Sequence, residues 1–316
     1  MPERQGCWVQ YGLPRNTSAS ALLRFASPVY PAMPLILQSL SPLAPADLDT
    51  IRSAAGASTF TLRADNVAYA DDSAPLTPAL HEALDATCGP RGIDWGVVPG
   101  DRKLSDFRLV AMDMDSTLIT IECIDEIADF CGLKAEVSAI TEAAMRGEIT
   151  DFNESLRRRV ALLKGLDASV LDRVYEERLR LSPGAERMLQ TIQALGLRTL
   201  LVSGGFVHFT DKLKPRLKLD FTRANTLEIV DGKLTGNVVG EIVNADVKAR
   251  TVREVCDQIG ADPSQAIVMG DGSNDLKMMA VAGLSVAFRA KPVVRAQASV
   301  AFNHVGLDGL LNLFPH

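Results

Sequence analysis

The chain has 316 residues, a length that favours two domains or one domain carrying a large insertion. Its 33 basic and 39 acidic side chains give a formal charge of −6, so there is no electrostatic footprint for a nucleic acid or an anionic membrane as partner. No apolar stretch is long enough to span a bilayer, and the first residues lack the basic start, apolar core and cleavage site of a secretion signal.

Residues 1–32 mix Gly, Pro and Ser with little periodicity and are expected to form a disordered tail. Met33 opens the first strand-like pattern and is an alternative start. From 33 to 100 the pattern predicts a small α+β module. Strands are expected at 34–37, 59–62, 66–70 and 93–98, and helices at 46–55 and 77–88. That βαββαβ order is ferredoxin-like, a module used for dimerising or for ligand sensing, and the dimerising role is the one expected here. Residues 101–106 are polar and read as a linker.

Beyond the linker, short apolar runs alternate with helical patterns. Residues 107–112, 197–202, 266–269 and 284–288 suit buried parallel strands, and 183–195, 246–259 and 273–282 suit helices, the first capped by Ser182 with Pro183 at its first position. The alternation predicts an α/β fold, a doubly wound Rossmann-like parallel sheet. Residues 121–180 are helical in pattern and too long for a crossover, so they are expected to form a helical cap inserted beside the sheet. A hairpin is expected at 225–239, turning at Asp231-Gly232. The five cysteines, Cys7, Cys88, Cys123, Cys131 and Cys256, form no C-x-x-C pair and leave one odd, as expected for reduced thiols in a cytoplasmic protein.

Four clusters can carry chemistry. Asp113-Met114-Asp115-Ser116-Thr117 follows the predicted strand at 107–112, where open α/β sheets bind ligands. In extended chain Asp113 and Asp115 face the same way, and two carboxylates so placed repel unless a cation or proton lies between them. Gly270-Asp271-Gly272-Ser273-Asn274-Asp275 follows the strand at 266–269 and adds two more carboxylates, hard oxygen donors suited to Mg²⁺, although such a loop could also serve only to cap the next helix. Ser203-Gly204-Gly205 offers a hydroxyl and flexible N–H groups for a phosphate, or equally a tight strand-to-helix turn. Lys248 lies in the first turn of a helix, where a cation opposes the macrodipole; a nearby anion or a solvated place beside Asp246 would account for it equally well. Four histidines at 81, 208, 304 and 316 have no metal-ligand spacing, and no G-x-S-x-G, P-loop or G-x-G-x-x-G pattern is present.

Taken in order, D-x-D-[ST]-T, S-G-G, a later Lys and G-D-G-x-N-D resemble the four-motif signature of the haloacid-dehalogenase-type phosphatases, covering residues 105–316 with a cap at about 121–180. The resemblance implies Asp113 as nucleophile and Asp115 as acid and base. It implies Mg²⁺ held by Asp113, Asp271 and the Asp115 backbone carbonyl, with Ser203, Gly204 and Lys248 on the phosphoryl group. Asn274 would orient substrate, and Asp275 would support Lys248. Glu122, and Arg159 in Phe152-Asn153-Glu154-Ser155-Leu156-Arg157-Arg158-Arg159-Val160, resemble the head-group residues of the family's phosphoserine-specific members, where the Glu takes the ammonium and the Arg the carboxylate. The implied activity is hydrolysis of O-phosphoserine, the last step of serine biosynthesis, with transfer to another acceptor or another small phosphoester as the alternative. The implied partner is a small-molecule substrate, and a homodimer stays open.

Overall fold

The computed structural model describes residues 34–98, 102–146 and 148–314; the expected tail at 1–32 and the first linker residue, Asp101, lie outside the described residues. The N-terminal elements come in the predicted order: β1 (Leu35–Ser39), α1 (Pro45–Ala55), β2 (Thr61–Ala64), β3 (Val67–Ala70), α2 (Pro78–Cys88) and β4 (Ile93–Val97). Their strands lie in the order β2-β3-β1-β4, each antiparallel to its neighbours. Period-two alternation divides β1 between two environments. Leu35 and Leu37 pack with Ile51, Ala55, Leu84 and Cys88 under the helices, while Ile36 joins the cluster that holds Leu310 and Leu313.

The predicted strands become β5 (Leu109–Met112), β6 (Arg198–Phe206), β9 (Ala266–Gly270) and β10 (Leu284–Phe288). Between β5 and β6 come α3 (Cys123–Phe130), α4 (Lys134–Met145), α5 (Phe152–Ala161), α6 (Ser169–Arg173) and α7 (Ala185–Ala194), the first four being the expected helical insertion. After β6 follow α8 (Val207–Leu217), the hairpin β7 (Phe221–Val230) and β8 (Lys233–Val239), and α9 (Ala245–Ile259). The last elements are α10 (Leu276–Met279), α11 (Pro292–Arg295) and β11 (Val300–Phe302). The strand order β11-β10-β9-β5-β6-β7 is parallel throughout, with β8 antiparallel at the edge. Val110, Met112, Ile267 and Met269 fill one apolar cluster, and Leu109, Ala111, Ala266 and Val268 fill another on the opposite face. Burial on both faces is why these strands read as unbroken apolar runs.

One sheet of 11 strands runs through both parts, because β4 pairs with β11 at Gly96 and Val300. Glycine is required there: a Cβ on Gly96 would lie 2.8 Å from a Val300 methyl. Beside this junction the buried Asp94 carboxylate accepts three backbone N–H groups, from Asn303, His304 and Val305, each at 2.9 Å. Neither the pairing nor β11 is predicted by the sequence pattern, since three residues carry no periodicity.

Three local expectations change. The helix expected from 183 begins at Ala185 behind Gly184. Leu181 still pairs with Ile119 as the chain returns from the insertion, so the helix starts later and Gly184, not Ser182, holds the N-cap position. The helix expected over 273–282 is shorter, a 3₁₀ turn followed by α10. Ser203-Gly204-Gly205 lies within the last residues of β6, and α8 starts only at Val207. The hairpin turn is as expected, with Asp231 and Gly232 both at positive φ, 50° and 74°.

Candidate active site

β5 is flanked by β9 and β6, so the residues after three adjacent parallel strands converge at one carboxyl edge. The chain runs from β5 outward to β6 and β7 and then returns to β9 on the other side, which makes this the crevice where strand order reverses. Asp113 is buried there, its N–H donating to Met269 of β9 at 3.0 Å. Its Oδ1 accepts from the Met114 N–H at 2.7 Å.

Lys248 is fully buried in the first turn of α9, which Asn244 caps by accepting from Asp246 and Val247. The Lys248 ammonium lies 2.8 Å from Asp113 Oδ1 and 2.7 Å from Asp275 Oδ1. Two anions settle the question left by the sequence: Lys248 is no solvated lysine. Burial alone would lower its pKa, and the two carboxylates outweigh that and raise it. Asp275 is itself fully buried, and its second oxygen accepts the Gly272 N–H at 3.0 Å. Gly270 makes room for it, because a Cβ there would sit 2.4 Å from Asp275 Oδ2.

Asp113, Asp271 and Asp275 each present a carboxylate oxygen within 4.8 Å of the others. Asp113 and Asp271 offer hard oxygen donors suited to a divalent cation, while both oxygens of Asp275 are engaged by Lys248 and the Gly272 N–H. The electrostatics agree: burial and then repulsion from Asp275 push Asp113 well above the usual carboxylate range, and the same two causes raise Asp271 to about 6. A cation in their midst would remove that repulsion. Asp271 is steadied by Thr117, whose hydroxyl donates to its Oδ1 at 3.0 Å.

Asp115 is also held above the usual carboxylate range, by burial and by the Glu122 and Asp113 charges, and its Oδ1 is buried without a hydrogen-bond partner. Ser116, held at a positive φ of 56°, donates its hydroxyl to Glu122 Oε1 at 2.6 Å. Crowding by protein raises Glu122 despite its opening onto the cavity, and the Ser116 bond partly offsets this. Ser203 Oγ accepts the Gly205 N–H at 2.8 Å. Gly205 approaches so closely that a Cβ would meet the Met114 methyl at 2.7 Å and Asp115 Oδ2 at 3.0 Å.

A cavity of about 570 Å³ joins these groups to the insertion. Asp113, Asp115, Glu122, Arg159, Ser203, Gly204, Asp271 and Asn274 all line it, so eight of the ten residues singled out in the sequence reach one space. The other two, Lys248 and Asp275, are buried beneath Asp113. Arg159 projects from α5, while Arg157 and Arg158 are exposed. The insertion is tied to the core by the hairpin, where Gly165 N–H donates to Leu234 at 2.7 Å, and by Asn244 donating to Asn153 of α5 at 3.2 Å.

Several residues escape the sequence motifs. Asn225, buried in β7, donates to the Gly204 carbonyl at 2.7 Å and accepts from Val243 N–H at 2.8 Å, so it anchors the Ser203-Gly204-Gly205 segment to the approach to α9. No local pattern marks it. Asp125, three residues after Glu122 and on the same helical face, also lines the cavity, as does Lys291. That i,i+3 acidic spacing is the one signal that could have drawn attention to Asp125.

The model of the haloacid dehalogenase-like hydrolases matches residues 107–283, and residues 35–84 match a domain of unknown function, DUF4072. The phosphoserine phosphatase of Polaromonas sp. is 58% identical over 226 residues, 70% of this chain and 96% of that protein. The phosphoserine phosphatase of Albidiferax ferrireducens is 55% identical over 216 residues, 67% of this chain and 91% of that protein. A crystal structure of a probable phosphoserine phosphatase from Vibrio cholerae, in unliganded form, superposes with a TM-score of 0.75 at 36% identity, covering 90% of this chain and 86% of the other. The chain belongs to the phosphoserine phosphatase family of the haloacid dehalogenase-like hydrolases.

Proposed function

We propose that this chain is a Mg²⁺-dependent phosphatase that hydrolyses O-phosphoserine to serine and phosphate through an aspartyl-phosphate on Asp113, as the last step of serine biosynthesis in the cytoplasm. The observation that carries the substrate is that Glu122 and Arg159 line the same cavity as Asp113 and Asp271. A guanidinium takes a carboxylate as a two-pronged fork, and Glu122 is the matching acceptor for an ammonium. The names borne by the relatives agree with that head group.

In the first half-reaction an Asp113 oxygen forms a bond to phosphorus as the bond from phosphorus to the serine oxygen breaks. Asp115 gives its proton to that leaving oxygen; its buried, unpartnered Oδ1 is free to serve. In the second, Asp115 takes a proton from water as the water oxygen bonds to phosphorus and the Asp113 ester breaks. Lys248 offsets the repulsion between the Asp113 carboxylate and an anionic phosphoryl group, and Asp275 fixes Lys248 in place. Ser203 and the Gly204 N–H bind phosphoryl oxygens, and Asn274 orients the substrate. The side chains of Asp113 and Asp271 and the Asp115 backbone carbonyl would hold Mg²⁺, which when bound would neutralise phosphoryl charge. Residues 105–316 form this phosphatase core, with its cap at about 121–180 and an appended module at 33–100.

Phosphate release from O-phosphoserine with Mg²⁺, beside p-nitrophenyl phosphate and an EDTA control, tests the proposal. Strong preference for phosphoserine, lost with EDTA, is expected. Metal-dependent turnover of p-nitrophenyl phosphate without that preference would leave the catalytic core standing and discard the substrate.

A further inference from the structure

The pairing of β6 with β7 breaks where the cavity begins. Val202 pairs with Arg223 and Phe206 with Asn225, so the longer step on β6 makes Ser203-Gly204-Gly205 bulge out of the ladder. Backbone groups released from a buried ladder need other partners. The Asn225 side chain, 1% exposed, supplies one. Its amide N–H donates to the Gly204 carbonyl at 2.7 Å, and its oxygen accepts the Val243 N–H at 2.8 Å. Only a side chain that donates and accepts at once fits both bonds.

Peptide geometry carries the first of these bonds to Ser203. The Gly204 carbonyl belongs to the same planar trans peptide as the Gly205 N–H, so holding the oxygen toward Asn225 turns the N–H the opposite way. There the N–H meets Ser203 Oγ at 2.8 Å. Ser203 thus spends a lone pair on Gly205, which leaves its proton to donate, and it lines the cavity with Asp113. A peptide between two glycines has no Cβ on either side to resist a flip. Flipped, it would aim a carbonyl oxygen at the Ser203 hydroxyl.

We infer that Asn225 is a positioning residue for phosphoryl transfer: it pins the Gly204–Gly205 peptide, which in turn directs the Ser203 hydroxyl at the phosphoryl group. This deepens the phosphatase reading and rests on it. Asn225 does not line the cavity and acts through Ser203, so its effect falls on every phosphoester alike, whatever the head group.

The test is steady-state kinetics of the full chain with Mg²⁺ on O-phosphoserine and p-nitrophenyl phosphate, with the melting temperature of each variant. The variants are Ser203→Ala, Asn225→Asp and Asn225→Ala, the last two alone and combined with Ser203→Ala. Asn225→Asp keeps an acceptor for the Val243 N–H but sets an oxygen against the Gly204 carbonyl. It is expected to lower kcat roughly thirtyfold on both esters, with KM for phosphoserine within about threefold of wild type. Ser203→Ala is expected to cost about a hundredfold, and adding Asn225→Asp to it no more than about twofold. Asn225→Ala, which removes the pin without adding a charge, carries the same comparison if the Asp variant does not fold. Additive losses in the double variant would overturn the inference, as would a loss confined to phosphoserine. A lowered melting temperature with kcat unchanged at the assay temperature would make Asn225 an anchor of the fold alone and overturn it. Ser203→Ala with near wild-type turnover would take Ser203 off the phosphoryl group, overturning the inference while the phosphatase reading stands. A wild-type chain without metal-dependent turnover of either ester would overturn both, and that signature is visible before any variant is made.

Discussion

The two ends of the cavity treat buried charge in opposite ways. At the sheet end Lys248 lies between Asp113 and Asp275, and the remaining oxygen of Asp275 is bonded to a backbone N–H, so charge is paired inside the protein. At the cap end Arg159 Nε and Asp125 Oδ1 have no hydrogen-bond partner. The first arrangement is preorganised for a reaction whose main need is fixed electrostatics. On the proposed assignment the second meets the charges of the substrate head group, which is how a site can reject an ester that lacks them. On the proposed assignment, chemistry and selectivity occupy separate parts of the fold: the sheet's carboxyl edge with the start of α9 for one, the insertion for the other.

Variants can break that division, and the largest effects belong at the sheet end. Asp113→Asn is expected to abolish turnover on every ester, at least a thousandfold in kcat, with the circular dichroism spectrum and melting temperature of a folded protein. Residual activity near wild type would move the nucleophile elsewhere. Removal of the metal with EDTA should abolish turnover of phosphoserine and p-nitrophenyl phosphate alike. Lys248→Ala should also abolish turnover, and it should destabilise the fold, because it leaves two buried carboxylates facing each other. The cost of breaking such a pair is about 3–5 kcal/mol. Denaturation with and without Mg²⁺ checks the cause: if repulsion is responsible, the metal should restore part of the lost stability. Equal losses in both conditions would point to lost packing instead.

Smaller and more selective effects are expected at the cap end. Arg159→Ala should raise KM for phosphoserine roughly thirtyfold or more and leave p-nitrophenyl phosphate almost untouched, since a partly buried fork to a carboxylate is lost. Equal changes on both substrates would erase the distinction between the two ends.

How much of this was legible in the sequence follows the same divide. The parallel strands were, because burial on both faces leaves unbroken apolar runs such as Leu109–Met112 and Leu284–Phe288. So were three of the motifs, because the groups that follow a parallel strand come as contiguous residues; Lys248, in the first turn of α9, stayed open between two readings. The turn at Asp231-Gly232 was legible because two successive positive φ angles demand those residue types. α8 was missed: Pro215 sits inside it, and its start at Val207 has no side-chain cap. Asn225 and Asp125 were missed for a different reason. Asn225 bonds to Gly204, 21 residues away, and Asp125 joins the other cavity-lining groups only in the folded chain. Nothing in a local window encodes a partner that only tertiary packing supplies.

The smallest effect on catalysis is expected farthest from the cavity. Asp94 stitches β4 to the chain that follows β11 through three backbone N–H groups, and Tyr69 and Gln38 make further bonds to Asn312. These contacts lie on the N-terminal strands and the last residues of the core, and none of the four residues lines the cavity. Asp94→Ala strands three buried donors at once, which should cost roughly 2–4 kcal/mol in unfolding free energy. At 25 °C kcat and KM should stay within twofold of wild type. A fall in kcat at that temperature, with the protein still folded, would mean that the first four strands act on the catalytic centre through the shared sheet. An unchanged kcat with a lowered melting temperature would assign this junction to stability alone, since Val300 and Phe302 pack in the same apolar cluster as Met112 and Met269 while the charged groups assigned to the chemistry lie beyond that cluster.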